Sequence, residues 1–394
     1  MSNASVTSSR MSAPELRATA SLASIFALRM LGLFMIMPVF SVYARTIPGG
    51  DNVLLVGIAL GAYGVTQSMF YIFYGWASDK LGRKPVIVAG LLIFALGSFV
   101  AAVGHSMTWI IAGRVIQGMG AVSSAVIAFI ADLTTEEHRT KAMAMVGGSI
   151  GISFAVAIVG APIVFHWIGM SGLFALVGVL SILAIGVVLW IVPNAPRPVH
   201  VPAPFAEVLH NVELLRLNFG VLVLHATQTA LFLVVPRILV EGGLPVASHW
   251  KVYLPVMGLS FVMMVPAIIA AEKRGKMKPV LLSAIALILI GQLLLGTAPH
   301  TILTVAAILF VYFLGFNILE ASQPSLVSKL APGTRKGAAA GVYNTTQSIG
   351  LALGGVAGGW LLHVAGDSAV FYACSGLVFG WLIIAASMKP PRRA

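Results

Sequence analysis

The sequence has 394 residues, of which 59% are hydrophobic and 9% are charged, and its net charge is +12. A soluble domain could not hide so much apolar side chain from water, so we predict an integral membrane protein with lipid as its solvent. The positive charges lie in short segments between apolar stretches, which is typical of membrane topology. We therefore expect no nucleic-acid partner.

Twelve apolar stretches approach the roughly 20 residues that a helix needs to cross about 30 Å of hydrocarbon. A linker at 194–214 contains four prolines and should be extended or irregular. We predict an all-α membrane protein with an N-terminal six-helix bundle at 1–193 and a C-terminal one at 215–394. The predicted spans are 20–43, 53–76, 85–104, 108–131, 142–166, 172–193, 215–240, 250–271, 278–297, 301–328, 337–364 and 368–388.

The basic residues define the expected orientation. With the N-terminus inside the cell, nineteen of the 24 Lys and Arg residues are cytoplasmic, whereas the opposite side keeps only Arg45, Arg237 and Lys251. This asymmetry follows the positive-inside rule. We expect both termini to be cytoplasmic.

An internal repeat relates the two halves. Leu33-Phe34 and Pro38 recur as Leu231-Phe232 and Pro236, Lys84-Pro85-Val86 recurs as Lys278-Pro279-Val280, and Ser149-Ile150-Gly151 recurs as Ser348-Ile349-Gly350. The spacings of 198, 194 and 199 residues place each match at the same point of its half. Two parallel repeats of this kind can rock about a central site.

The segment between spans two and three reads GWASDKLGRKP, residues 75–85. Gly75 allows close helix contact and Gly82 a tight turn, while Asp79 and Arg83 can bridge neighbouring helix ends. A second segment, from Arg114 to Gly120 in span four, combines a basic residue with glycines. Topology alone would require only basic residues in the first segment.

Both segments resemble signature motifs of the major facilitator superfamily, the second as seen in its proton-coupled members. The resemblance covers the whole chain and is greatest to bacterial inner-membrane members grouped with drug/proton antiporters. It implies alternating-access transport and a bacterial inner-membrane location. The antiporter pattern of span five is incomplete, because no glycine directly precedes Pro162. Some such relatives continue into a soluble C-terminal domain, which we do not expect here because the sequence stops at Ala394.

The resemblance also implies a cytoplasmic latch that holds the halves together while the cavity faces outward. Its residues would be Gly75, Asp79, Gly82, Arg83, Lys84 and Asp132. Span eleven begins at Gly337 without an acidic side chain in its first turn, so its free N–H groups could attract Asp79. Arg83 could then pair with Asp132.

Four ionisable residues lie within spans, where charges are costly and usually functional. They are Arg29, Arg114, His225 and Glu320, in spans one, four, seven and ten. Glu320 is the only deep carboxylate and is the candidate proton carrier. Arg29 or His225, at similar depth, could pair with it, and a permanent Arg29–Glu320 ion pair is the structural alternative.

The other members of this group have two interpretations each. His225 is either a hydrogen-bonded cavity residue or a second proton site. Arg114 either organises proton coupling or clamps helices, and its glycine neighbours predict packing of span four against span one. Gln228, Asn317 and Gln323 extend the polar cavity surface.

We predict a proton-coupled secondary transporter that exports small amphiphilic solutes or drugs, acting as a monomer with a small-molecule substrate, protons and the lipid bilayer as its partners. Uniport or symport of a small metabolite is the alternative within transport. A membrane sensor or enzyme is the alternative outside it, but the sequence contains no metal cluster, nucleophile elbow or phosphate loop. We expect no cofactor and no metal. Two arginines against one glutamate favour anionic or neutral solutes at least as much as cations.

Overall fold

The computed structural model describes residues 11–120, 122–194, 208–272, 274–331 and 336–388. These ranges are helical and contain no strand. The helices are α1 Ala13–Tyr43, α2 Val53–Leu81, α3 Arg83–Val103, α4 Met107–Met119, α5 Ser123–Leu133, α6 Glu136–Gly186, α7 Val212–Glu241, α8 Trp250–Glu272, α9 Met277–Thr297, α10 Ile302–Leu330, α11 Lys336–Ala365 and α12 Asp367–Ala386.

These helices form twelve crossings, as predicted. Eleven helical stretches of the described chain are long and apolar enough to span a bilayer. One of them covers α4 and α5, which are separated by a break at residues 120–122. Another is α6, whose 51 residues far exceed the length of one crossing at about 1.5 Å per residue. Gly169, with φ 65°, divides α6 into a first arm (136–168) and a second arm (170–186).

Polar residues fix where several helices begin, because the first N–H groups of a helix lack partners within it. Asn52 accepts a hydrogen bond from the backbone N–H of Leu54 at 3.0 Å and caps α2. Asn211 caps α7 in the same way, so this helix begins inside the predicted linker. Ser12 caps α1, which begins before the predicted span one. Most of the linker, residues 195–207, lies outside the described ranges.

Each half packs chiefly within itself. In the first half, α1 lies against α6, and α3 lies against α4 and α6. In the second half, α9 contacts α10 and α12, and α7 contacts α11. The repeat found in the sequence has matching positions here, because Pro38 and Pro236 are both inside their helices, in α1 and α7. We call the side that carries the α1–α2 loop the α1–α2 face, and the opposite side the α2–α3 face.

The closest contact between the halves is a seam of α2 against α11. A Cβ atom added to Gly61 would lie 2.7 Å from the carbonyl oxygen of Ala352, and one added to Gly359 would lie 2.8 Å from the Cα atom of Gly57. The two backbones therefore touch, which small residues permit in membrane bundles. The seam lies toward the α1–α2 face, near the start of α2 and the end of α11.

The corresponding helices in the repeat, α8 and the first arm of α6, meet much less closely. Added Cβ atoms at Gly147, Gly151 and Gly258 would have no heavy atom within 4 Å. The contact between the halves is thus asymmetric. The backbones of α2 and α11 are in direct contact, whereas the glycines of α6 and α8 make no such contact.

We predict that Gly61→Ala destabilises the protein relative to Gly258→Ala. Both changes replace a helical glycine and gain roughly 1 kcal/mol in helix propensity. Only the first forces a Cβ atom against the backbone of α11, at a cost of about 1–3 kcal/mol. Thermal unfolding in detergent should give a Tm for Gly61→Ala several degrees below that of Gly258→Ala. Equal Tm values would show that the seam adds no stability.

Candidate functional site

The first cluster of the site lies at the turn between α2 and α3. Gly82 has φ 95°, a left-handed conformation that favours glycine, and it ends α2 so that Arg83 begins α3. The Nη1 atom of Arg83 donates hydrogen bonds to Asp79 Oδ1 and to Ser78 Oγ. Its Nε atom donates to Asp132 Oδ2 at 2.7 Å. Arg83 therefore joins the ends of α2, α3 and α5.

The centre of the cluster is buried, since the Arg83 side chain is 8% exposed, whereas Asp79 at its edge is 31% exposed. The structure thus brings together Asp79, Arg83 and Asp132. Gly75 lies one turn before Asp79 on α2, where an added Cβ atom would lie 4.0 Å from Ser124 of α5. Lys84 follows Arg83 on α3 and is partly buried. The contact of Asp79 with the start of α11 stays a prediction, because residues 332–335 before that helix lie outside the described ranges.

Arg114 forms a second cluster, buried wholly within the first half. Its Nη1 atom donates to Gln117 Oε1 at 2.9 Å, and Gln117 donates in turn to Ser98 of α3 at 2.8 Å. Its Nε atom donates to the carbonyl oxygen of Ala59, and its guanidinium lies 4.9 Å from the ring centre of Tyr63. The positive charge of Arg114 is therefore stabilised by neutral groups of α2 and α4, and Gln117 connects it to α3.

The glycines near Arg114 do not pack span four against span one as predicted; span four meets α1 further along the chain, where Ser123 of α5 accepts a hydrogen bond from Arg29. Added Cβ atoms at Gly113 and Gly120 would meet α3, and one at Gly118 would meet Thr66 and Tyr63 of α2. The glycines of this segment thus admit α2 and α3 rather than α1. Glycine spacing indicates close approach but not which helix approaches.

The third cluster joins α7, α10 and α11. His225 is almost fully buried, and its Nδ1 atom donates to the carbonyl oxygen of Val221 at 3.1 Å. Its Nε2 atom lies 2.6 Å from Gln347 Nε2 and 3.6 Å from Glu320 Oε2. With Nδ1 protonated, neutral His225 accepts a hydrogen bond at Nε2, and a further proton there creates an ion pair with Glu320.

Arg29 does not lie beside Glu320 as one of the sequence-based alternatives required. Its Nη2 atom donates to Ser123 Oγ, and its guanidinium lies 5.7 Å from the ring centre of Phe26. Ser123 is the first residue of α5, so Arg29 is held within the first half. Glu320 instead pairs with His225, and its Oε2 atom has no hydrogen-bond partner among the described residues.

The clusters of Arg29 and His225 border a central cavity between the halves. Its apolar lining residues are Phe26, Met30, Leu33, Phe34, Ile150 and Leu351. Its polar lining residues are Gln67, Tyr71, Ser123, His225, Asn344, Gln347 and Ser348. The cavity therefore combines an apolar surface with amide and imidazole groups from both halves. In this state the cavity has a volume of only about 20 Å³, room for about one water molecule, so a solute can enter only when the halves move apart.

The predicted polar residues Gln228, Asn317 and Gln323 are buried near this site but do not line the cavity. Asn317 donates to Ser260 of α8 at 2.9 Å, and Gln323 accepts from Tyr343 of α11 at 3.4 Å. Both amide atoms of Gln228 lack hydrogen-bond partners among the described residues.

Sequence reasoning missed the cavity residues Gln67, Asn344 and Gln347. A signal for Gln347 existed, because it directly precedes the repeated Ser348-Ile349-Gly350 segment. Polar amides inside a span, like charged residues, indicate contacts within the bundle or with a cavity.

A second, larger cavity lies at the α1–α2 face. This cavity of about 310 Å³ is lined by Ser41, Arg45, Asp51 and Arg237, among others. Arg45 of the first half forms an ion pair with Glu241 of the second at 3.4 Å. Ser41 donates to the carbonyl oxygen of Phe232 at 3.2 Å beneath it. These contacts close the halves at the same face as the α2–α11 seam.

Two related bundles that enclose a polar cavity inside a membrane define the class of secondary transporters. Comparison with known proteins agrees. The family model of the Major Facilitator Superfamily matches residues 22–355 and 278–394, and the chain belongs to this superfamily. It is therefore a multi-pass membrane transporter of small-molecule substrates and not an enzyme.

The chain is 42% identical over 388 residues to the inner membrane transport protein YajR of Escherichia coli, covering 97% of this chain and 85% of that protein. It is 28% identical over 346 residues to the multidrug resistance protein MdtH of Yersinia enterocolitica, covering 84% and 83%. The crystal structure of the human organic anion transporter MFSD10 has the same fold, with a TM-score of 0.70 at 17% identity over 95% of this chain and all of that one.

We predict that Asp132→Asn lowers the free energy of unfolding by about 1–2 kcal/mol. The change removes one of two carboxylates from a largely buried Arg83, while Asp79 still compensates part of the charge. Glu241→Gln is the matched control, because its pair with Arg45 is exposed and should contribute only about 0–1 kcal/mol. Chemical unfolding of both variants in detergent measures the difference. A smaller loss for Asp132→Asn than for Glu241→Gln would contradict a structural role of the cluster.

Proposed function

We propose that this transporter is proton-coupled and exports small amphiphilic solutes or drugs by alternating access. The observation that carries the proposal is the buried contact of His225 with Glu320, 3.6 Å apart beside the central cavity. Carboxylates and imidazoles at such depth are costly, and in membrane proteins they mark proton pathways. Glu320 is the proton carrier, and His225 is its partner.

The surroundings of the pair support a change of protonation. Gln347 can present either its amide nitrogen or, after rotation of the amide group, its oxygen to His225 Nε2, so it can serve both forms of the imidazole. Tyr343 of α11 donates a hydrogen bond to Gln323, which lies one turn after Glu320 on α10, and Arg29 lies in the opposite half of the protein. Protonation of Glu320 removes its electrostatic attraction to His225. The balance between two arrangements of the halves can then shift.

The moving parts in this proposal are an N-terminal bundle at 1–193 and a C-terminal bundle at 215–394, joined by a linker at 194–214. With both termini in the cytoplasm, the α1–α2 face is the outer face. The α2–α11 seam and the contacts above it then hold a state that is closed to the outside. The cluster of Asp79, Arg83 and Asp132, with Gly75, Gly82 and Lys84 around it, is the cytoplasmic latch of the opposite state.

The relatives support the direction and the location. One is named a multidrug resistance protein, which favours export, and another is named an inner membrane transport protein, which favours the bacterial inner membrane. The cavity lies between two halves of a single chain, so a monomer is sufficient for transport. Arg114 organises the first half in this proposal by clamping α2, α3 and α4.

We predict that Glu320→Gln abolishes solute accumulation that is driven by a pH gradient. The amide keeps the volume and polarity of the side chain but cannot exchange a proton. The measurement is accumulation in inside-out membrane vesicles of cationic, neutral and anionic amphiphiles, with and without an imposed gradient. Glu272→Gln is the control, because Glu272 pairs with Lys329 at the α2–α3 face and should be dispensable for coupling.

Four outcomes of this experiment are distinguishable. Gradient-driven accumulation that fails only in Glu320→Gln supports proton-coupled export through this residue. Flux that ignores the gradient indicates a uniporter, and solute movement in the same direction as protons indicates a symporter. Normal gradient-driven accumulation in Glu320→Gln would remove Glu320 from the proton pathway.

A further inference from the structure

Arg29 is a buried charge without a counter-charge. The residue is 4% exposed, and a guanidinium remains protonated under all ordinary conditions. Its hydrogen bond to Ser123 and its contact with Phe26 involve neutral groups. Its Nη1 atom has no hydrogen-bond partner among the described residues. The ion pairs within the described ranges also leave it out.

Comparison with Arg114 shows that the lack of hydrogen-bond partners is particular to Arg29. Arg114 is buried equally deeply, yet it bonds to Ala59 and Gln117 and stacks on Tyr63. Neutral acceptors in this protein can thus satisfy the hydrogen-bond donors of a buried structural arginine. Arg29, in contrast, has an N–H donor at Nη1 that no described residue of the first half accepts. Buried guanidinium groups with free donors are suited to carboxylates and other planar acids, which bind them through two parallel hydrogen bonds.

Arg29 lies directly behind the wall of the central cavity, which it does not itself line in this state. Both of its partners, Phe26 and Ser123, line this cavity. The neighbouring wall from α1 is apolar, with Met30, Leu33 and Phe34. The wall across the cavity carries His225, next to Glu320. A ligand that reaches Arg29 would therefore have an apolar body beside α1 and a single acid group.

We propose that Arg29 binds the acid group of monoanionic amphiphiles in the central cavity. One guanidinium compensates one negative charge, and a second negative group would approach the carboxylate of Glu320. A cationic group in the same position would be repelled by Arg29. This binding rests on the proposed transport through the central cavity but does not depend on the direction of proton coupling. It assigns a solute class and an anchoring residue.

The test uses three probes with one ring system and different charge, namely 2-naphthoate, 2-naphthamide and 2-naphthylmethylammonium. Binding to the purified full-length protein in detergent is measured by equilibrium dialysis at neutral pH. We expect the wild type to bind naphthoate at least about tenfold more tightly than the other two probes, as for a charge-assisted hydrogen bond. Arg29→Gln should lose this preference and keep its affinity for naphthamide.

Two further variants test the specificity of the effect. Arg29→Lys keeps the charge without the planar fork and should retain part of the preference. Lys251→Gln removes an exposed positive charge at the α1–α2 face and should bind all three probes like the wild type. Retained naphthamide binding and an unchanged Tm show that Arg29→Gln is folded.

Equal affinity of the wild type for the three probes would overturn the assignment, as would no binding of naphthoate. A preference for naphthoate that survives in Arg29→Gln would overturn it as well. These results are independent of Glu320. If export is driven by the gradient but binding does not depend on probe charge, the proposed function is supported and the role of Arg29 is not. If binding depends on Arg29 but the gradient has no effect on transport, the role of Arg29 is supported and proton coupling is not.

Discussion

The absence of water in the hydrocarbon core is the constraint on which this structure depends. Each ionisable side chain within a span needs a partner in the protein, because lipid offers none. The described residues meet this demand in different ways. Arg83 has two carboxylates near the membrane edge, Arg114 has neutral acceptors and an aromatic ring, and Glu320 has an imidazole. Arg29 has one hydroxyl and one ring, and this shortfall makes it the most informative of the four.

The second consequence of a lipid solvent concerns how the halves hold together. Apolar surface gains little by leaving lipid for protein, so close packing and polar contacts must provide the attraction. The backbone contact of Gly57 and Gly61 with α11 supplies the packing at one face. The buried bond from Ser41 to α7 adds a polar contact there. Opening the α1–α2 face would break both the glycine packing and the Ser41 hydrogen bond. In a rocking transition, new contacts at the α2–α3 face must therefore offset this loss of free energy.

Much of this arrangement could be predicted from the sequence, and the remainder has a common physical reason. Counting residues along apolar stretches gives the number of crossings and the depth of Arg29, His225 and Glu320. It does not give the rotation of a helix, and each residue turns a side chain by about 100° around the axis. Hence the partners of Arg29 and the neighbours of Gly113 could not be predicted. The junction of two spans in α6 was predicted, because Gly169 falls in the gap between the predicted spans 142–166 and 172–193.

The positions of Arg29 and Glu320 on opposite sides of the central cavity bear on the direction of coupling. A cation in the cavity would be favoured by the charged form of Glu320 and would oppose its protonation, which is the competition that antiport requires. An anion on Arg29 would instead cancel a positive charge and favour proton uptake at Glu320 and His225, since interacting sites are linked reciprocally. Export of an anion against the proton gradient therefore requires that the anion leave Arg29 before Glu320 takes up its proton, so that the two are never bound in the same step.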